Sequence, residues 1–232
     1  MGKIYITGDI HGTISVNRLA SGGFPEGRGL IRDDYVIIAG DFGLLWANAP
    51  DDLYWLNWLN EKPWTTLFID GNHENFDLLD AYPVEEWNGG KIHRIRPNIV
   101  HLMRGQMFSL QGKKFFTFGG AASIDKERRT EGRSWWAREI PSHAEFEEGL
   151  STLDKHKWET DFIITHTCST KMLMWMAEKY GYMLKPVDSV NAYLDIVGEK
   201  LAYKHWFFGH FHENLNLPYN QHMIYDQIIR IH

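Results

Sequence analysis

The chain of 232 residues holds one cysteine, Cys168, so no disulfide can form within it, which predicts a reducing, cytoplasmic setting. Cys168 follows His166 by two positions and is read as a small packing side chain rather than a ligand or redox group. No run of about 18 consecutive apolar residues occurs, so no membrane-spanning helix is expected. A leader pattern is also missing: Lys3 to Thr7 reads directly as a strand, and Ile6 stands where N-myristoylation needs Ser or Thr. There is no basic surplus. Lys and Arg number 24 against 30 Asp and Glu, a net charge of -6, which argues against a broad nucleic-acid-binding face. The arginine-bearing stretch 125–139 is mixed, with Lys126, Arg128, Arg129, Arg133 and Arg138 set against Asp125, Glu127, Glu131 and Glu139. Repeats, low-complexity tracts and interdomain linkers are lacking as well.

With 44% hydrophobic and 23% charged residues, the chain has material for one substantial core, and a single domain over residues 1–232 is expected. Apolar runs at Ile4 to Thr7, Tyr35 to Ala39, Thr66 to Asp70, Phe115 to Phe118, Phe162 to Thr165 and His205 to Phe208 read as buried strands. Further strands follow one another around Ile99 to Phe118, and the tail from Met223 to Ile231 reads as one more. Helical spacing is found over Asp51 to Glu61, Asn75 to Ala81 and Ser189 to Ala202. Ser142-x-x-Glu145 is a capping box that predicts a helix from Ser142 to about Lys155.

Behind five of these strands stand metal-type donors: Gly8-Asp9-Ile10-His11-Gly12, Gly40-Asp41-Phe42-Gly43, Gly71-Asn72-His73-Glu74, Thr165-His166-Thr167 and Gly209-His210-Phe211-His212. Alone, a Gly-Asp is ordinary turn chemistry and an Asn or His an ordinary polar residue. Five such loops in one chain are different, because neighbouring strands bring the loops at their ends together however distant in sequence. Carboxylate, neutral imidazole and amide oxygen form a mixed N/O set suited to manganese, iron, zinc or nickel.

In that order, the five blocks resemble the calcineurin-like metallophosphoesterases, spanning residues 8 to 212, and the later Gly119-Gly120-Ala121 with its arginines and Trp135-Trp136 resembles an insertion of the small bacterial and phage type. The resemblance implies a four-layer αββα sandwich of two mixed sheets flanked by helices. It implies one metal held by Asp9, His11, Asp41 and His212, and a second by Asp41, Asn72, His166 and His210, with Asp41 bridging. His73 is then no ligand; it stabilises the transition state or protonates the leaving oxygen. Two metals about 3.5 to 4 Å apart clamp a phosphoryl group and lower the pKa of a bridging water towards roughly 7, so no covalent nucleophile is needed. The expected reaction is hydrolysis of a phosphomonoester or phosphodiester, with manganese the first metal to try in an assay. A metal-dependent nuclease or cyclic-nucleotide phosphodiesterase is the alternative. A protein phosphatase ranks lower, because Gly40-Asp41 continues as Phe42-Gly43-Leu44 and not as Asp-Arg-Gly. A catalytically dead scaffold of this fold lacks the His of the Asn-His block, which this chain keeps as His73.

The stretch Gly119 to Pro141 is an insertion, too long for a plain connector, with Trp135-Trp136 arguing against disorder. Arg128, Arg129 or Arg133 is expected to reach the mouth of the active site as a phosphate clamp. Trp46, Trp55, Trp58 and Trp64 are assigned to packing before any nucleobase platform. His93, His101, His205 and His222 fall outside the motifs and are read as structural.

Overall fold

The structure is a computed structural model that describes residues 2–181 and 187–232. Its organisation follows from strands that are apolar on both faces. Strands β1 (Ile4–Thr7), β2 (Tyr35–Ala39) and β3 (Thr65–Ile69) are almost wholly buried, as expected for parallel strands covered on each side. They run parallel in register, Ile4 beside Tyr35 and Ile38 beside Phe68, so their C-terminal ends lie level. Helix α1 (Pro50–Asn60) and the single turn α2 (Phe76–Leu79) flank β3 in sequence. The sheet then grows through β4 (Val84–Trp87), β5 (Gly90–Arg96) and β6 (Ile99–Leu102), with β6 parallel to β3.

A second sheet starts with β7 (Gln106–Leu110) and β8 (Lys113–Phe118). After α3 (His143–Lys155) come β9 (Phe162–Thr165), α4 (Thr170–Tyr180), α5 (Ser189–Lys200) and β10 (His205–Phe208). The short strands β11 (Leu215–Leu217), β12 (Gln221–Met223) and β13 (Ile229–Arg230) close the chain. The seven-stranded sheet has the order β13-β1-β2-β3-β6-β5-β4 and the six-stranded sheet β11-β12-β10-β9-β8-β7. Strands β8, β9 and β10 are parallel and level, Phe118 beside Thr165 and Thr165 beside Phe208.

Strand alternation sorts the apolar residues into three layers. Ile4, Ile6, Ile37, Leu67 and Ile69 meet Phe115, Phe162, Ile164 and Phe207 between the sheets. On the outer face of the first sheet, Tyr5, Val36, Ile38 and Phe68 pack with Leu56 and Leu59 of α1. On the outer face of the second, Phe116, Phe118, Ile163, Trp206 and Phe208 pack with Leu153, Met172, Met176, Leu194 and Val197 of α3, α4 and α5. Helix, sheet, sheet, helix is the expected four-layer arrangement.

Two local readings change. The tail forms two short strands in different sheets, because residues 224–228 leave one sheet and cross to the edge of the other. The helix expected over Asn75 to Ala81 is one turn, capped by the Asn75 side chain accepting from Leu78 N at 3.1 Å. The capping box at Ser142 is as read: Ser142 N donates to Glu145 Oε2 at 2.8 Å.

Candidate metal centre

Level strand ends put the five donor loops on one edge. Their backbones are stitched directly: Ile10 N and His11 N both donate to Asp41 O, at 3.2 and 2.8 Å, and Gly12 N donates to Phe42 O at 2.9 Å. His11 and Asp41 (φ 47° each), His210 (72°) and His212 (55°) all take the left-handed conformation. Non-glycine residues avoid it at a cost of roughly 1–2 kcal/mol each, so four such residues among seven candidate ligands mark a strained, function-bearing edge. Glycine is required where loops touch. A Cβ on Gly71 would lie 2.0 Å from Asp41 Oδ1, and one on Gly209 2.1 Å from Asp9 Oδ1.

One cage and one looser set of donors form around these loops. In the first, ligand atoms of Asp9, His11, Asp41 and His212 all lie within 4.8 Å of one another. His212 Nε2 is 3.2 Å from Asp9 Oδ2 and 2.9 Å from His11 Nε2, which is 3.7 Å from Asp41 Oδ2. In the second, His166 Nε2 is 3.3 Å from Asp41 Oδ1 and 3.1 Å from Asn72 Oδ1, and the His210 ring stands edge-on to His166 at 5.1 Å. Asp41 thus turns one oxygen to each set. His73 lies beside both: its N–H donates to Asp41 Oδ1 at 2.7 Å, and its ring packs edge-on against His11 at 5.3 Å.

The donor chemistry fits cations. Asp9 and Asp41 are buried, and among the described residues their ion pairs are with histidines alone. His166 Nδ1 faces the Ala39 carbonyl at 2.9 Å, so that nitrogen carries the ring hydrogen and Nε2 is left to ligate. Burial opposes charge on both His166 and Asp41. Each nevertheless holds the other charged, Asp41 raising the imidazole and His166 lowering the carboxyl. A cation at this place replaces that proton.

Side chains outside the candidate ligand set hold the ligands. Glu74 accepts from Phe42 N at 2.7 Å, Gly43 N at 3.1 Å and Gly71 N at 3.4 Å, locking two loops together. Burial and the Asp41 charge push Glu74 up to about 8, against the N–H groups of Gly43 and Phe42. A cation beside Asp41 offsets that charge and favours the carboxylate those N–H groups demand. Asp70, just before Gly71, is gripped by Arg104 Nε and Nη2 at 2.8 and 2.6 Å and by His101 Nε2 at 3.2 Å. Although burial opposes it, the Arg104 guanidinium holds Asp70 well below the usual carboxylate range.

The 119–141 segment supplies the support for Asn72. Asn72 Nδ2 donates to Ser123 Oγ at 3.0 Å, Ser123 Oγ donates to Glu139 Oε2 at 2.7 Å, and Ser123 N donates to Glu139 Oε1 at 2.8 Å. Lys126 pairs with Glu139 at 2.6 Å. This chain fixes the amide with Oδ1 towards the second set. Of the three arginines, only Arg129 is brought to the centre, with Nη1 3.0 Å from His73 Nδ1. Arg128 and Arg133 are exposed and make no side-chain hydrogen bond or ion pair among the described residues. Trp136 is buried, donates to Asp77 Oδ2 at 2.8 Å and packs on Trp46, while Trp135 lies under Lys126. Trp64 is core, Trp55 and Trp58 pair on one helix face, and Trp46 borders a cleft of about 260 Å³ with His11, Ile14, Asp52 and His73. His93 faces His101, and His205 faces His222, both pairs away from these donors.

The family profile of the calcineurin-like phosphoesterases matches residues 2–214. The chain belongs to that family. Its residues Asp9, His11, Asp41 and His212 form a group that could hold a metal ion. Its fold is shared with a Staphylococcus aureus protein provisionally described as a 5′-nucleotidase, solved with alpha-ketoglutarate, at 17% identity and a TM-score of 0.51. The alignment covers 96% of this chain and 48% of that one, so the chain spans about half the length of its structural relative. No curated protein matches it. Among the described residues, no helix is long and apolar enough to cross a membrane.

Proposed function

We propose that this chain is a dinuclear enzyme that hydrolyses a phosphomonoester or phosphodiester. The observation that supports it is Asp41, which turns one oxygen to His11 in the first donor group and the other to His166 beside Asn72. Asp9, His11, Asp41 and His212 would hold one ion, and Asp41, Asn72, His166 and His210 the other. When bound, such ions act as Lewis acids on a phosphoryl oxygen and make water a nucleophile near neutral pH. The chain's own part is to place these ligands, keep the sheet side dry and present His73 to the substrate. The His73 backbone N–H donates to Asp41 Oδ1, which ties its backbone to the proposed bridging carboxylate. Residues 1–232 are read as one domain in which 119–141 is an insertion that braces Asn72.

The cleft bordered by His11, Trp46 and His73 is where the organic part of an ester would lie. It is open enough for a small ester or a nucleotide. A panel of p-nitrophenyl phosphate, bis-p-nitrophenyl phosphate, nucleoside 5′-monophosphates, cyclic nucleotides and single-stranded DNA, each with manganese, tests the reading. Hydrolysis of at least one ester, lost in His73→Ala with metal retained, is expected. No turnover of any of them with manganese, iron, zinc or nickel contradicts it.

A further inference from the structure

Arg129 is pinned on three sides. Its Nε donates to Asp125 Oδ2 at 2.8 Å, and its Nη1 donates to the Ser134 carbonyl at 3.2 Å and lies 3.0 Å from His73 Nδ1. A guanidinium has donors and no acceptor. His73 Nδ1 must therefore accept, and an accepting ring nitrogen carries no hydrogen. The ring's one hydrogen then sits on Nε2, on the side away from Arg129, in a ring that borders the cleft with His11.

We infer that Arg129 is a positioning residue that holds His73 as its Nε2–H tautomer. His73 accordingly acts on substrate by donating a hydrogen bond to a phosphoryl oxygen, not by giving its proton to the leaving group. This rests on the phosphoesterase reading and decides which of the two roles open to His73 it performs. A proton donor would need hydrogen on both ring nitrogens, and the one on Nδ1 would point into the guanidinium hydrogens at 3.0 Å. A neutral imidazole N–H gives up its proton poorly, yet as a fixed donor it stabilises charge that grows on the transferring group. Three of its five N–H groups, on Nε and Nη1, are engaged, which holds the guanidinium against the histidine.

The direct test is two-bond ¹⁵N–¹H correlation on histidine-labelled protein, ion-free and zinc-loaded, with His73 identified by its loss in His73→Gln. Wild type should show hydrogen on Nε2 alone. Arg129→Met should shift His73 to a mixture containing the Nδ1–H form, and Arg129→Lys, which still donates, should restore the wild-type pattern. Hydrogen on Nδ1 in wild type, or an unchanged His73 signature in Arg129→Met, overturns the inference. This readout needs no turnover, so it stands apart from the phosphoesterase reading, which fails on its own if no ester is cleaved. Kinetics give a second arm. Arg129→Met should lower kcat roughly tenfold with KM within about twofold, the effect of one charge-assisted hydrogen bond. His73→Gln should slow p-nitrophenyl and phenyl phosphate by the same factor. A loss that grows with leaving-group basicity makes His73 the proton donor, and a raised KM with unchanged kcat in Arg129→Met makes Arg129 a clamp; either result refutes the inference.

Discussion

Replacing Ser123 by Ala removes one hydroxyl that stands between a candidate ligand and a buried acid. Asn72 Nδ2 loses its acceptor, and Glu139 Oε2 loses its Ser123 hydroxyl donor, while Oε1 keeps Ser123 N and Lys126. Asn72 is 4% exposed and Glu139 0%, so water does not readily replace the hydroxyl. Leaving a buried donor or acceptor unmade costs about 1–3 kcal/mol, which for two groups, one of them still partnered, gives roughly 2–4 kcal/mol of stability. The second effect falls on the metal. The amide then loses the acceptor that fixes its Nδ2 and keeps only the contact of Oδ1 with His166, and loss of such an orienting partner lowers metal affinity about 10- to 100-fold. Urea unfolding in chelator reads the first effect, and calorimetric titration with zinc the second. Ser123→Ala should weaken one site and spare the other, since Asp9, His11 and His212 have no contact with this chain of bonds. Two ions bound with wild-type affinity would refute the reasoning, whatever the stability change.

Gly71→Ala should lose both ions and some stability, because its Cβ would sit 2.0 Å from Asp41 Oδ1 and 2.4 Å from the Asp41 backbone nitrogen; metal content and elution position in gel filtration check it. His73→Ala should keep its metals while turnover falls roughly 10²- to 10³-fold, the range for losing a fixed hydrogen-bond donor to developing charge; metal loss equal to that of Asn72→Ala would contradict the division of roles. His93, lowered to about 4 by burial and by its neighbour His101, supplies a pH test. Its folded value lies below its ordinary 6.5, so as pH falls from 6.5 towards 4 the unfolded chain takes a proton that the folded chain refuses. Stability should drop by up to roughly 3 kcal/mol across that window and level off below it, and His93→Gln should flatten this part of the urea midpoint profile.

The centre was legible in the sequence because chelation demands fixed residue types, and here each follows a strand buried on both faces. Such strands read as unbroken apolar runs, which is why β1, β2, β9 and β10 are found at the expected residues. The hairpin of β4 and β5 was missed, since Val84 to Arg96 alternates charged and apolar residues at a sheet edge. Its one clear signal is Asn88-Gly89, both at positive φ, the pair that a tight hairpin turn requires. Helix α4 was missed too, though Ser169 caps it by accepting from Met172 N at 3.2 Å. Glu74, Ser123 and Glu139 could not be read as ligand supports. Their partners lie far off in sequence, as with Ser123 and Asn72, and a buried acid of this kind resembles any other in composition. Arg129 could not be told from Arg128 and Arg133 for the same reason: only the fold of 119–141 selects it.

Elemental analysis of wild type beside Asp41→Asn tests the shared-carboxylate centre most directly. Wild type loaded with manganese or zinc should hold two ions per chain, and Asp41→Asn should be depleted at both sites, because Oδ2 faces one donor group and Oδ1 the other. A wild type that binds a single ion, or an Asp41→Asn protein that retains both ions and full activity, would contradict it.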